Sequence, residues 1–208
     1  MQAQENTKLI YVGDPMCIWC YGISEELSLL WESTPNLEKE IVLGGLRPGG
    51  GDEWNKEFTS FLRHHWEDVS KTSGAEFSYA LLEKENFFYD TEPSCRAVVI
   101  ARNMDPSIAL PFFKDVQRKF YYENEDPKEV DFYRSLCQKY KLDYSTFKAM
   151  FTKSTAKQQS TKDFLRARQL GVNSFPTILV EKDGKTQVIA RGYAKANDMK
   201  RSIDQILR

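Results

Sequence analysis

The residue patterning predicts an α/β protein in which one small mixed sheet is interrupted by an all-helical insertion. Three observations carry this: the chain opens on β-α-β, closes on α-β-β-α, and reads as helix after helix between them. Neither flank has enough strands to stand alone, so the economical arrangement joins both in one sheet. On this reading residues 1–50 and 154–208 form the sheet domain and residues 51–153 the helical insertion.

Leu9-Ile10-Tyr11-Val12 is an apolar run of strand length. An amphipathic helix follows to about Glu32, with Ile23, Leu27, Leu30 and Trp31 on one stripe, and Ser33-Thr34-Pro35-Asn36 stops it. The second strand spans Glu40 to Leu46 around Ile41, Val42 and Leu43. A helix between two strands implies a parallel pair with a right-handed crossover. Arg47-Pro48-Gly49-Gly50-Gly51 lacks the Lys-Ser/Thr end of a phosphate-binding loop and reads as a hinge.

In the middle, Trp54, Phe58, Phe61, Leu62 and Trp66 share one helical face. Ser94 to Met104, opened by Glu92-Pro93, gives a second helix, and Ile108 to Tyr122 a third with Pro111 in its first turn. Val130, Tyr133, Leu136 and Cys137 mark a fourth, and Tyr144 to Phe151 a shorter one. After a helix over Thr155 to Leu170, Gly171 stands where a helix C-terminus favours glycine. Thr177-Ile178-Leu179-Val180-Glu181 is a β-branched strand, Lys182-Asp183-Gly184-Lys185 a hairpin turn, and Gln187 to Ala190 the returning strand. Met199, Ile203, Ile206 and Leu207 mark the last helix.

With 29 basic against 30 acidic residues, the near-neutral chain carries no signature of nucleic-acid binding or of a polybasic membrane patch. The longest apolar runs, such as Ala97 to Ala101, are too short to span a bilayer. Met1 to Lys8 lack the apolar core of a secretory leader, which leads us to expect a cytoplasmic protein. In a reducing compartment a close cysteine pair is catalytic or metal-binding rather than structural.

That pair is Cys17-Ile18-Trp19-Cys20, set between the first strand and the first helix. The first sulfur then sits at a helix N-terminus, where free N–H groups and the helix dipole favour an anion, so Cys17 is expected to ionise more readily than a free cysteine. Cys20 is placed to attack a mixed disulfide formed at Cys17. A zinc half-site competes with this reading. It needs two more ligands, while Cys95 and Cys137 are isolated and His64-His65 are adjacent rather than a turn apart. Cys95 and Cys137 read as buried small hydrophobes, and the two histidines as surface residues.

The Cys17–Cys20 motif after the first strand, Gly171-Val172-Asn173-Ser174-Phe175-Pro176-Thr177 entering a later strand, and the helical insertion together resemble the DsbA-like branch of the thioredoxin superfamily. Asp14-Pro15-Met16-Cys17 through Tyr21-Gly22, with Gly44-Gly45-Leu46-Arg47-Pro48, is similar to the FrnE-like, often cytoplasmic, bacterial relatives of DsbA. The resemblance implies a thioredoxin-like fold with an inserted helical domain, and a cis peptide before Pro176 opposite the cysteines. It also implies Cys17 as nucleophile, Cys20 as resolving thiol, and Phe175 and Pro176 as part of the substrate surface. Trp19, between the cysteines, is a further candidate for substrate contact.

Ile18 stands where many relatives carry proline, and Trp19 where the best-known oxidant carries histidine, so a less oxidising pair is expected. The sequence offers no clear counterpart of the buried acid that some relatives use for proton transfer. The resulting expectation is a thiol–disulfide oxidoreductase and disulfide isomerase acting on protein thiols and disulfides, with glutathione as a small alternative. It needs no bound cofactor or metal beyond the cysteine pair itself. Two rivals remain: a non-redox adaptor protein, and a glutathione-dependent isomerase or transferase of the same fold.

Overall fold

The computed structural model describes residues 7–208. The polar residues 1–6, part of the stretch on which the leader expectation rests, lie outside the described residues. Four strands form one sheet in the order β2-β1-β3-β4, from β1 (Thr7–Gly13), β2 (Glu38–Leu43), β3 (Thr177–Lys182) and β4 (Lys185–Arg191). β1 pairs parallel with β2 and antiparallel with β3, and β3 pairs antiparallel with β4. The two flanks of the chain therefore meet at the β1–β3 seam. Asp183 and Gly184 both have positive φ, the backbone a two-residue hairpin turn requires, and they close β3 onto β4.

Strand alternation splits the sheet into two faces. Leu9, Tyr11, Ile41, Leu43, Ile178 and Val180 turn to the main core, which also takes Ile23, Leu27 and Leu30 from the first helical segment and Met199 and Ile203 from the last. Ile10, Val12, Val42 and Leu179 turn the other way, against Ala167 and Val172. The first helix is broken. α1 (Ile18–Gly22) and α2 (Ser24–Ser33) meet at Ile23, so the predicted single helix is two pieces. β2 ends at Leu43, three residues before the predicted end: Gly44 N–H gives a last rung to the Gly13 carbonyl (2.7 Å), and Gly45, at φ +66°, leaves the extended conformation.

The middle of the chain holds α3 (Lys56–Ser73), α4 (Glu92–Met104), α5 (Ala109–Tyr121), α6 (Arg134–Lys139) and α7 (Tyr144–Phe151). α3 starts after Trp54, because Asn55 caps it by accepting from Phe58 N–H (2.9 Å). Tyr79–Glu83 and Val130–Tyr133 are 3₁₀ turns, the first unforeseen and the second expected as α-helix. An aromatic cluster of Trp66, Phe87, Tyr89, Phe120 and Tyr121 joins α3 to α5 and also buries Met16 and Tyr21 from the cysteine segment. The Gly-rich hinge is anchored to the start of α4. Arg47 N–H donates to Thr91 Oγ1 (3.0 Å) and Gly49 N–H to Asp90 (2.7 Å).

α8 (Ser154–Gln169) returns the chain to the sheet, and α9 (Ala196–Leu207) ends it. Asp163 of α8 ties three elements together. It accepts two hydrogen bonds from Arg102 of α4 (2.8 and 3.0 Å) and one from Leu43 N–H of β2 (3.0 Å). Its side chain is 15% exposed, so the pair is mostly withdrawn from water. Removing Asp163 leaves the Arg102 guanidinium, 24% exposed, with the Ile41 carbonyl but without its counter-charge; with partial exposure discounting the full penalty, Asp163→Ala should destabilise the protein by about 2–3 kcal/mol. Urea unfolding measures this, and a loss under about 1 kcal/mol, the value of a surface pair, contradicts it.

Candidate active site

Cys17 is the residue before α1, in extended conformation (φ −86°, ψ 120°), and its N–H donates to the Asp14 carbonyl (3.0 Å). The loop that delivers it is held from both sides. The buried Asp14 carboxylate accepts from Met16 N–H (2.8 Å), Leu46 N–H (2.6 Å) and the Cys95 thiol (3.3 Å). The Met16 carbonyl accepts from the hydroxyls of Tyr89 (2.6 Å) and Tyr121 (2.7 Å). Burial raises the Asp14 pKa above the ordinary carboxylate range, although its donors pull it back down. Tyr21, just past the motif, stacks on Tyr121 with ring centroids 4.9 Å apart.

The Phe175 loop closes over the pair. The Phe175–Pro176 peptide is cis, as the resemblance implied. The Cys17 thiol donates to the Phe175 carbonyl at 3.5 Å. Gly44 makes this approach possible: a Cβ there would lie 2.1 Å from the Phe175 ring. Gly45, at φ +66°, likewise lies under the Phe164 ring. Three loops thus converge at one end of the strands: the end of β1, the end of β2 and the start of β3.

The two cysteines differ in access. Cys17 is 5% exposed and Cys20 is 0% exposed. All four cysteines are free thiols. Burial first, then the neighbouring Cys17, pushes the Cys20 pKa well above its ordinary value, while the Tyr11 hydroxyl and Asp14 N–H pull the other way. Ile18 and Trp19 are half-buried, with Trp19 packed against the main core and Ile18 against the aromatic cluster. Leu46, 40% exposed, adds apolar surface next to the loop that Asp14 holds.

Cys17, Cys20, Phe175 and Pro176 therefore come together, with Trp19 beside them on α1. Sequence reasoning missed Asp14, Tyr89 and Tyr121, which set the loop. Asp14 lies three residues before Cys17, a spacing that marks it as a partner for the loop's own N–H groups. Cys95 is buried as expected, but it is a hydrogen-bond donor to Asp14 rather than only an apolar filler. Cys137 is buried, and burial pushes its thiol to about 11. His64 is exposed and pairs with Asp68 (3.4 Å), while His65 meets the edge of Phe61. Among the described residues, no three metal-ligating side chains converge, and no helix is long and apolar enough to cross a membrane.

No protein-family model matches the chain, and no curated protein matches it significantly. Solved structures do. A proposed protein disulfide isomerase from Nitrosomonas europaea shares 31% identity over 98% of each chain, with a TM-score of 0.89. The cytosolic disulfide reductase DsbM from Pseudomonas aeruginosa superposes with a TM-score of 0.78 at 23% identity, over 97% of this chain and 98% of that one. DsbM solved with GSH gives 0.75 at 23% identity, over 97% and 99%. At that identity the DsbM likeness speaks to the fold alone.

Two outcomes follow from this geometry. Gly44→Ala forces the Phe175 ring aside and should destabilise the protein by about 1–3 kcal/mol, as overpacking does. Thermal melting checks it, and an unchanged melting temperature contradicts it. The Cys20 thiol, enclosed and raised, should stay unmodified by iodoacetamide in the reduced protein until the pH is well above 9. Peptide mapping after a pulse of reagent reads this directly, and Cys20 labelling at neutral pH contradicts it.

Proposed function

The chain belongs to the DsbA-like thiol–disulfide oxidoreductases of the thioredoxin fold, and from that premise we propose that Cys17 attacks substrate disulfides and Cys20 resolves the intermediate. The observation that carries the assignment is the position of Cys17 ahead of α1, its Sγ at the Phe175 carbonyl, with Cys20 a turn further in and without exposure. An attacking thiol must be reached by a partner, and a resolving thiol needs to reach only its neighbour.

In the reductive direction, the Cys17 thiolate bonds to one substrate sulfur while the substrate disulfide breaks. The electron pair leaves on the other substrate sulfur. Cys20 then bonds to Cys17 Sγ, the Cys17–substrate bond breaks, and the second substrate thiol departs. The protein is left with a Cys17–Cys20 disulfide, and the substrate has gained two electrons and two protons. The Phe175 carbonyl beside Cys17, with the half-buried rings of Phe175 and Trp19, supports a reading in which an extended substrate segment lies along this loop. Isomerisation uses the same attack, with the mixed disulfide surrendered to a second substrate thiol before Cys20 acts.

We further propose glutathione as the small thiol that returns the pair to its reduced form, in a reducing compartment such as the cytoplasm. The fold shared with DsbM, a cytosolic reductase solved with GSH, supports this. No cofactor beyond the cysteine pair enters the scheme.

Insulin reduction tests the roles. Cys17→Ala should lower the rate at least about a thousandfold, to the uncatalysed background, as expected when a covalent nucleophile is removed. Cys20→Ala should accumulate a mixed disulfide at Cys17 that mass spectrometry detects. Mixed disulfide on Cys20 in the Cys17→Ala protein, with insulin still reduced, would reverse the assignment.

A further inference from the structure

Resolution asks a fully enclosed sulfur to become an anion. Cys20 has no exposure, and burial opposes its ionisation. The groups that face it are Cys17, the Asp14 N–H and the Tyr11 hydroxyl. Those facing Tyr11 are Cys20, Cys17 and Asp14. From the aromatic cluster Tyr89 and Tyr121 face Cys17 and Asp14, from α4 Cys95 faces Asp14, and Arg47, paired with Asp52, lies over Phe58 and Tyr89. No cation borders the Cys20 sulfur in this set, so a thiolate there depends on neutral donors.

Asp14 is unsuited to the task. Both of its oxygens are engaged, Oδ1 by Met16 N–H and Oδ2 by Leu46 N–H and the Cys95 thiol. A carboxylate charge would also repel a thiolate. Tyr11 is different. It is fully buried on β1, and its hydroxyl finds no hydrogen-bond partner among the described residues. Buried tyrosine hydroxyls ordinarily find one.

The ring of Tyr11 is fixed edge-on against Phe113 of α5, with centroids 5.5 Å apart. The hydroxyl tucks beneath Gly13, where a Cβ would lie 2.5 Å from it. It stands within reach of the Cys20 sulfur without an aligned hydrogen bond. A neutral thiol is a weak acceptor and a thiolate a strong one. A thiolate at Cys20 would answer this donor far better than the thiol does, and the donor is held in place beforehand.

We propose that the Tyr11 hydroxyl is the donor that stabilises the Cys20 thiolate as it resolves the mixed disulfide on Cys17. This rests on the roles given to the two cysteines above. Cys20 Sγ bonds to Cys17 Sγ, the Cys17–substrate bond breaks, and its electron pair leaves on the substrate sulfur. That sulfur takes the proton Cys20 gave up. Tyr11 keeps its own proton throughout, and its burial, which raises its pKa, favours that.

Stopped-flow mixing of the reduced full chain with dithiobis(nitrobenzoate) separates the two steps. One nitrothiobenzoate is released when Cys17 attacks, and a second when Cys20 resolves. Tyr11→Phe removes only the unpartnered oxygen. It should leave the first phase within about twofold, slow the second about tenfold at neutral pH, and move the second phase's pH midpoint upward, as loss of one charge-assisted hydrogen bond predicts. An unchanged second phase, in rate and pH midpoint, overturns the proposal. So does an equal slowing of both phases with a lowered melting temperature, which marks a purely structural residue. If the wild-type chain releases no second nitrothiobenzoate, the assignment of Cys20 as resolving thiol fails instead.

Discussion

The buried carboxylate of Asp14 is the constraint on which the site depends. The four-residue loop Asp14–Cys17 between a strand and a helix has many conformations, and fixing it costs about 1–2 kcal/mol of backbone entropy per residue. Asp14 offsets this by gathering donors from its own loop, from the turn after β2 and from α4. The Met16 carbonyl, gripped by two tyrosine hydroxyls from the aromatic cluster, fixes the other side. The helical block is thus not a bystander. It supplies the hydroxyls and the thiol that set where Cys17 sits. The arrangement has an opposing electrostatic term: a carboxylate raised by burial loses stability for the fold as pH rises from its unfolded value through its folded one.

With the loop fixed, the two sulfurs take unequal positions on one short helix. Cys17 precedes α1 and meets the Phe175 carbonyl, while Cys20 lies one turn in and is sealed beneath it. Bare backbone at Gly44 lets the Phe175 ring press against the turn after β2. The chemistry of the pair follows from this placement. On the proposed roles, one sulfur meets the partner and the other meets only its neighbour.

Much of this was legible in the sequence. The β-α-β and α-β-β-α flanks announced themselves through strand-length apolar runs and the Asp183-Gly184 turn, and the cysteine motif and Phe175-Pro176 fall where their patterns put them. What was not legible depended on tertiary contacts. The interruption at Ile23 leaves its backbone near helical and keeps its i→i−4 bonds, so periodicity alone does not mark it, and the early end of β2 coincides with Gly45 at φ +66°. Tyr11 reads as one more apolar strand residue, and only its burial beside Cys20 exposes its hydroxyl as an orphan. Asp14 reads as a turn residue. Besides Met16 in its own loop, its partners are 32 and 81 positions away, and no local pattern points to those.

The central claim is that Cys17 and Cys20, and no other pair, form a reversible disulfide. Peptide mapping of the full chain after equilibration with oxidised glutathione tests it most directly. The account predicts one internal bond, Cys17 to Cys20, reopened by dithiothreitol, with Cys95 and Cys137 still free. A bond to Cys95, or a protein left as four thiols under those conditions, would contradict it.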